Sequence, residues 1–148
     1  MGSISGSASA EIEASIEVVY AVAADAEGAV RWQQEIQVAE CLARDAEGNQ
    51  LTVRMETETS IKRLTSVLSY RYESPSRISW AQEEGDLKSV TGSWDLEELD
   101  AGLTRVTYAL EVDPGRMLGL AIRGPLAGVL RAKMVDTMPN KLKAFVEG

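Results

Sequence analysis

Chemistry in this 148-residue chain has to come from a short set of side chains. There is one cysteine, Cys41, and no histidine. A thiol without an imidazole partner is a poor nucleophile, and a lone cysteine has no internal disulfide partner, so Cys41 reads as a small core residue. The lack of histidine also removes the commonest general base and metal ligand, and neither a metal site nor a cofactor is expected. Tyr70, Tyr108 and Arg123 remain as weak catalytic candidates. A phenol moves a proton near neutral pH only if its pKa is lowered, and no cationic partner is evident for either tyrosine. Arg54 and Arg71 fall on the opposite strand parity, and Arg123 lies beside an expected helix break. The acidic runs Glu83-Glu84-Asp86 and Glu97-Glu98-Asp100 coincide with turns and read as solvated.

Composition narrows the classes further. Hydrophobic residues make up 45% and charged residues 26%, ordinary for one globular domain spanning residues 1–148. The net charge of −8 argues against nucleic acid and against tight docking on anionic membranes. No apolar run reaches the roughly 20 residues of a membrane span, and the N-terminus has no charged-then-apolar leader pattern. A cytoplasmic protein without stable membrane insertion, monomeric or homodimeric, is the expectation.

Periodicity supplies the elements. Ala10–Ala14 closes a first strand within residues 3–14. Ser15 reads as an N-cap for a helix over 15–24, with Ile16, Val19, Tyr20 and Ala23 on one face. A second short helix follows near 26–32. From residue 35 the period changes to two, through Ile36, Val38 and Leu42, then Leu51, Val53 and Met55, then Leu64, Leu68, Tyr70 and Tyr72. Ile78 and Trp80 form a short strand. Val90, Trp94 and Leu96 form another, with Gly92 as an expected bulge or bend. Val106, Tyr108, Leu110 and Val112 make the last. Met55, Leu68, Tyr70, Trp80, Trp94 and Tyr108 share a dry face, whereas Arg54, Glu56, Arg71, Thr91, Asp95 and Thr107 share a wet one.

The stretch from Pro114 to Val146 is what remains to cover the dry face. If residues 122–147 are one helix, it is roughly 39 Å long at 1.5 Å per residue. Leu126, Val129, Leu130 and Met134 occupy one sector of that helix. Val135, Met138, Leu142, Phe145 and Val146 occupy another, rotated by roughly a third of a turn. Pro139 predicts a kink, and Gly124-Pro125 predicts a start or a second break. The lower part, 138–146, is expected to anchor on the sheet, and the upper part, 117–134, to wall an open space.

Four stretches, in order, carry a resemblance. They are Glu11-Ile12-Glu13-Ala14-Ser15 with Val19-Tyr20, Asp25 and Trp32; Pro75-Ser76-Arg77-Ile78-Ser79-Trp80 with Gly92-Ser93-Trp94-Asp95-Leu96; Gly102 to Tyr108; and Met138-Pro139 with Leu142-Lys143. Together they resemble the START-like, birch-pollen-allergen-like superfamily, in particular its bacterial polyketide cyclase/dehydrase and coenzyme-Q-binding branch. The resemblance implies an α+β helix-grip fold: a seven-stranded antiparallel sheet wrapped around a long C-terminal helix, with two short helices after strand 1. It also implies an apolar cavity between helix and sheet, open near the short helices. Two departures fall at that opening, where Ile16 and Arg31 stand at positions often held by proline.

With such a cavity, the candidate ligand-binding residues are Trp32, Met55, Thr57, Leu68, Tyr70, Tyr72, Trp80, Trp94, Tyr108, Leu126, Leu130, Met134 and Met138. Thr57, Thr59 and Ser66 offer inward hydroxyls, and Glu40 joins them unless a bulge in its strand reverses its parity. Each residue alone is compatible with a filled core; together, aromatics and flexible methionines suit an apolar pocket. The leading expectation is binding or transport of a lipid, prenylated quinone or polyketide. A polyketide aromatase/cyclase is the alternative, and an interaction module with a filled core is a third.

Overall fold

The computed structural model describes residues 4–122 and 124–148. Its strands are β1 (Ile4–Ile12), β2 (Ile36–Arg44), β3 (Gln50–Glu58), β4 (Arg63–Glu73), β5 (Arg77–Gly85), β6 (Ser89–Asp100) and β7 (Leu103–Asp113). They form one seven-stranded antiparallel sheet in the order β1-β7-β6-β5-β4-β3-β2. The strands from β2 to β7 each pair with the next in sequence, as a meander, and β1 closes the sheet against β7. The dry face is as the alternation predicts, with Met55, Leu68, Tyr70, Trp94 and Tyr108 all buried. On the wet face Arg54 pairs with Glu56, Arg77 with Asp95 at 2.6 Å, and Arg105 with Glu97 at 3.1 Å. Such solvated pairs each add at most about 1 kcal/mol, so the dry face carries the fold.

Between β1 and β2 the chain forms helix α1 (Ile16–Ala24) and a 3-10 helix, Glu27–Arg31. The Ser15 hydroxyl accepts the Val18 N–H at 3.3 Å, and Ile16, Val19 and Ala23 are buried. Asp25 ties the pair down. Its carboxylate accepts the Gly28 N–H at 3.1 Å and the Gln50 amide at 2.9 Å, while Gln50 accepts the Glu27 N–H at 2.9 Å. The short helices are thereby fastened to the start of β3.

The C-terminal helix departs from a single rod. It comprises α2 (Gly115–Ala121), α3 (Pro125–Arg131), a π-helical turn at Ala132–Asp136 and α4 (Met138–Glu147). Gly124, at φ 53°, adopts a conformation suited to glycine, and Pro125 then sits in the first turn of α3. The irregularity expected at Pro139 lies one turn earlier, where the Thr137 N–H reaches back to the Ala132 carbonyl at 3.1 Å. Pro139 has no N–H for the Val135 carbonyl, so α4 begins afresh around it. A π turn accommodates one extra residue, worth about 100° of rotation. That offset is the third of a turn separating the two apolar sectors, and Leu130, Val135, Met138 and Leu142 are all buried in consequence. The anchor packs against β1, β7 and α1.

Four other expectations are corrected. Val129 is exposed rather than facing the cavity, and Phe145 is exposed rather than packed on the sheet, lying instead under the Arg31 guanidinium, 5.7 Å from the ring centroid. Cys41 is half-buried, its thiol 3.2 Å from the Ala43 carbonyl, because β2 is an edge strand with an irregular register. β5 runs on to Gly85, longer than the short strand expected. Gly92 makes no bulge: it pairs directly with Trp80, whose indole covers the space a side chain would fill.

Acid should loosen this fold. The Glu13 N–H and the hydrogen bond and charge of Lys143 hold Glu147 below the usual carboxylate range, and Arg54 does the same for Glu56. For Glu35, loss of solvent pushes upward but the Lys141 hydrogen bond and charge outweigh it, and the net direction is down. A carboxyl whose folded pKa is depressed adds stability above its unfolded pKa of about 4 and loses it as pH falls through the folded value. The melting temperature should therefore be flat from neutrality down to about pH 5 and decline below about pH 4. Calorimetry across that range checks it; a rise in Tm on acidification contradicts it.

Candidate ligand cavity

Alternation along the strands brings one row of side chains from each to the concave face, and the helix does not fill the space above them. The result is a cavity of about 420 Å³. Its floor is Met55 and Thr57 on β3, Leu64, Ser66 and Leu68 on β4, and Trp80 on β5. Val90 on β6 and Tyr108, Leu110 and Val112 on β7 continue that floor. Its roof is Leu130 on α3, Met134 in the π turn and Met138 at the start of α4. The lining residues that reach solvent mark the opening: Gln33 and Glu35 before β2, Glu58, Thr59 and Ser60 at the β3–β4 turn, and Lys133 on the helix.

Of the residues singled out in the sequence, Met55, Thr57, Leu68, Trp80, Tyr108, Leu130, Met134 and Met138 line this space, with the hydroxyl-bearing Thr59 and Ser66. Trp32, Tyr70, Tyr72, Trp94 and Leu126 do not. An aromatic wall explains four of these. Trp80 and Tyr108, 5.7 Å apart between ring centroids, end the cavity. Behind them Tyr70 lies 5.7 Å from Trp80, and Trp94 lies 4.6 Å from Tyr108. Tyr72 stacks on Tyr70 and donates its hydroxyl to the Gln50 carbonyl at 2.6 Å, while Trp32 backs Trp94 at 6.2 Å. These rings plug the end beside the short helices. Leu126 packs half-buried against the core. Glu40 points outward, 3.9 Å from Arg54. Arg123 lies outside the described residues.

Leu110 and Val112 share the parity of Tyr108, Leu64 that of Leu68, and Val90 that of Trp94, so the strand pattern already held these missed residues. Nothing in the pattern marks Ser60 or Lys133, because the turn and the helix phase place them.

The interior polar groups are few. Ser66 donates to Gln82 at 2.7 Å, and Gln82 donates to the Leu87 carbonyl at 2.8 Å. Burial pushes the Tyr108 phenol well above its usual range, and burial with the neighbouring phenols does the same to Tyr70. Both stay protonated at any physiological pH: they can donate a hydrogen bond but not accept a proton as a base. The sign follows for stability. A phenol whose folded pKa is raised adds stability below its unfolded pKa of about 10, lost as pH climbs beyond it. Spectrophotometric titration should show Tyr70 and Tyr108 un-ionised at about pH 11 while the fold persists. Ionisation of all four tyrosines with an ordinary midpoint near 10 would contradict this burial. At the opening, Lys141 donates to Glu35 at 2.9 Å, so that carboxylate is already neutralised. Among the described residues no group of three or more His, Cys, Asp and Glu side chains is placed to hold a metal ion. Nor is any described helix long and apolar enough to cross a membrane.

The family model described as polyketide cyclase / dehydrase and lipid transport matches residues 3–147. Among curated proteins there is no significant match. Solved structures share the fold at low identity. A START superfamily protein from Mycobacterium smegmatis is 21% identical with a TM-score of 0.81, covering 97% of each chain. A protein from Thermus thermophilus is 20% identical with a TM-score of 0.80, over 98% of this chain and 97% of that one. The Zhui aromatase/cyclase from Streptomyces sp. R1128 is 18% identical with a TM-score of 0.67, over 98% of this chain and 82% of that one.

Proposed function

This chain belongs to the polyketide cyclase/dehydrase and lipid transport family, and we propose that it binds a hydrophobic small molecule, a lipid, prenylated quinone or polyketide, as a carrier or sensor. The observation that carries the reading is the distribution of charge around the cavity. Glu35, Glu58 and Lys133 all stand at the opening, while the interior offers aliphatic, methionine and aromatic side chains with isolated hydroxyls. Such a space accepts an apolar body and leaves a polar end near water. A ligand of about 20 carbons gains about 0.8 kcal/mol per buried methylene before ordering costs, ample for micromolar affinity. The candidate ligand contacts are Met55, Thr57, Leu68, Trp80, Tyr108, Leu130, Met134 and Met138.

Solvent extraction of the purified protein followed by mass spectrometry should find a co-purifying apolar compound, and titration with apolar ligands should change Trp80 fluorescence. An empty interior that binds none of a broad apolar panel would sink the proposal. A second reading, polyketide aromatase/cyclase, draws on the Ser66 and Tyr108 hydroxyls in the cavity and on the likeness to the Streptomyces enzyme. It requires ring closure in reconstitution that Tyr108→Phe abolishes with binding retained. The third reading, a module with a filled core, fits poorly with about 420 Å³ of open space.

A further inference from the structure

Outside the cavity, α2 presents an unusual surface. Met117 is 83% exposed and Leu120 59%. Spaced i, i+3 they share one side of the helix, and the exposed Arg116 flanks them at i, i+4 from Leu120. The other side, with Leu118 and Ile122, closes a small void. One exposed apolar residue means nothing; two adjacent large ones on a helix whose inner face is already satisfied lack a partner.

In sequence, the stretch that carries them is basic, unlike the chain as a whole, although Arg131 lies 3.9 Å from Asp136 just beyond it. From Pro114 to Val135 the sequence holds Arg116, Arg123, Arg131 and Lys133 and not one carboxylate, although the whole chain carries −8. Two more bases approach from elsewhere in the fold. Lys62, on the β3–β4 turn, borders the same void as Leu118 and Ile122. Lys88 lies against Gly115, its Cβ in contact range of that position. Asp113 accepts the Gly115 N–H at 2.9 Å and offsets Lys88 at 3.8 Å, while Asp86 accepts the Thr65 N–H at 2.8 Å and Glu58 is exposed, so Arg116 and Lys62 are the bases the surface offers. Net charge speaks against an acidic partner for the molecule as a whole, but solvated charges beyond a screening length of about 10 Å count little locally.

We propose that α2 docks this protein reversibly on an anionic lipid bilayer, with Met117 and Leu120 entering the acyl boundary and Arg116 and Lys62 meeting the headgroups. Two apolar side chains combined with a basic rim are the two signals that peripheral attachment needs. The same patch, one short helix, falls well short of the roughly 1,200 Å² that a specific protein interface buries. Docking has a use if the cavity carries a ligand, a point that rests on the function proposed above. The void behind α2 shares Leu64, Leu130 and Met134 with the main cavity, so the docked helix stands between bilayer and ligand.

The test is co-sedimentation of the full chain with vesicles of phosphatidylcholine alone or mixed with phosphatidylglycerol, at low and high salt. Binding is expected only with phosphatidylglycerol, weakened about tenfold or more by high salt. Met117→Asp with Leu120→Asp, and separately Arg116→Glu with Lys62→Glu, should each lower it about tenfold at unchanged Tm. Absent binding, binding equal on both vesicles, or binding indifferent to both variant pairs would overturn the proposal. So would a wild-type dimer in sedimentation velocity that the Asp pair dissolves, which assigns the face to a second copy. Vesicle binding by a protein that takes up no apolar ligand leaves docking standing and removes only its use in transfer.

Discussion

Gly92→Val is expected to cost about 1–3 kcal/mol of stability and to lower Tm by about 2–4 °C for each of them. A Cβ at this position would lie 2.5 Å from two carbon atoms of the Trp80 ring, closer than side chains pack. The indole has no easy retreat. Tyr70 flanks it on one side and Tyr108 on the other, each centroid 5.7 Å away. The direction left to it is the cavity, so the variant should lose ligand affinity as well as stability. Thermal unfolding and Trp80 fluorescence read the two effects together. Gly128→Ala is the control: its Cβ would meet nothing within 4 Å, and alanine favours the helix, so Tm should hold or rise. A Gly92→Val protein as stable as its parent would mean that the ring does not rest on this strand.

A paired Thr57→Trp and Val90→Trp substitution should lower affinity for apolar ligands by about a hundredfold while Tm stays within a few degrees or rises. Both side chains line the cavity, from β3 and β6, and larger ones have about 420 Å³ to enter. Side chains bordering a void lack contacts on one side, and filling it returns that dispersion energy. Stability and binding therefore move apart, a separation that a core-damaging mutation would not produce. Isothermal titration with the ligand recovered by extraction, beside a melting curve, tests it. Undiminished affinity in a folded variant would place the ligand elsewhere.

The strands were legible because one-faced burial writes itself as alternation: Tyr108, Leu110 and Val112 share one parity, and a one-residue slip would turn all three outward together. The capping Ser15 was legible for an equally local reason. The identity of the cavity wall was not. Parity places Tyr70, Trp80, Trp94 and Tyr108 on one face, but which of them touches open space depends on how the rings pack against each other across strands. The same limit applies to Trp32, whose neighbour Trp94 is far away in sequence. Net charge has a related limit, since a sum over the chain hides that the acidic residues avoid the stretch from Pro114 to Val135.

The turn at Ala132–Asp136 holds one residue to spare. Deleting Lys133 would let the run from Pro125 onward close into regular helix, and everything before the deletion would swing by about 100° relative to α4. Leu130 would leave the sheet, and the cavity would lose part of its roof without the loss of one apolar side chain. Length in residues thus acts here as a phase setting. A relative that is one residue shorter across this turn, with an identical set of strand side chains, would present a different surface to whatever lies beneath it.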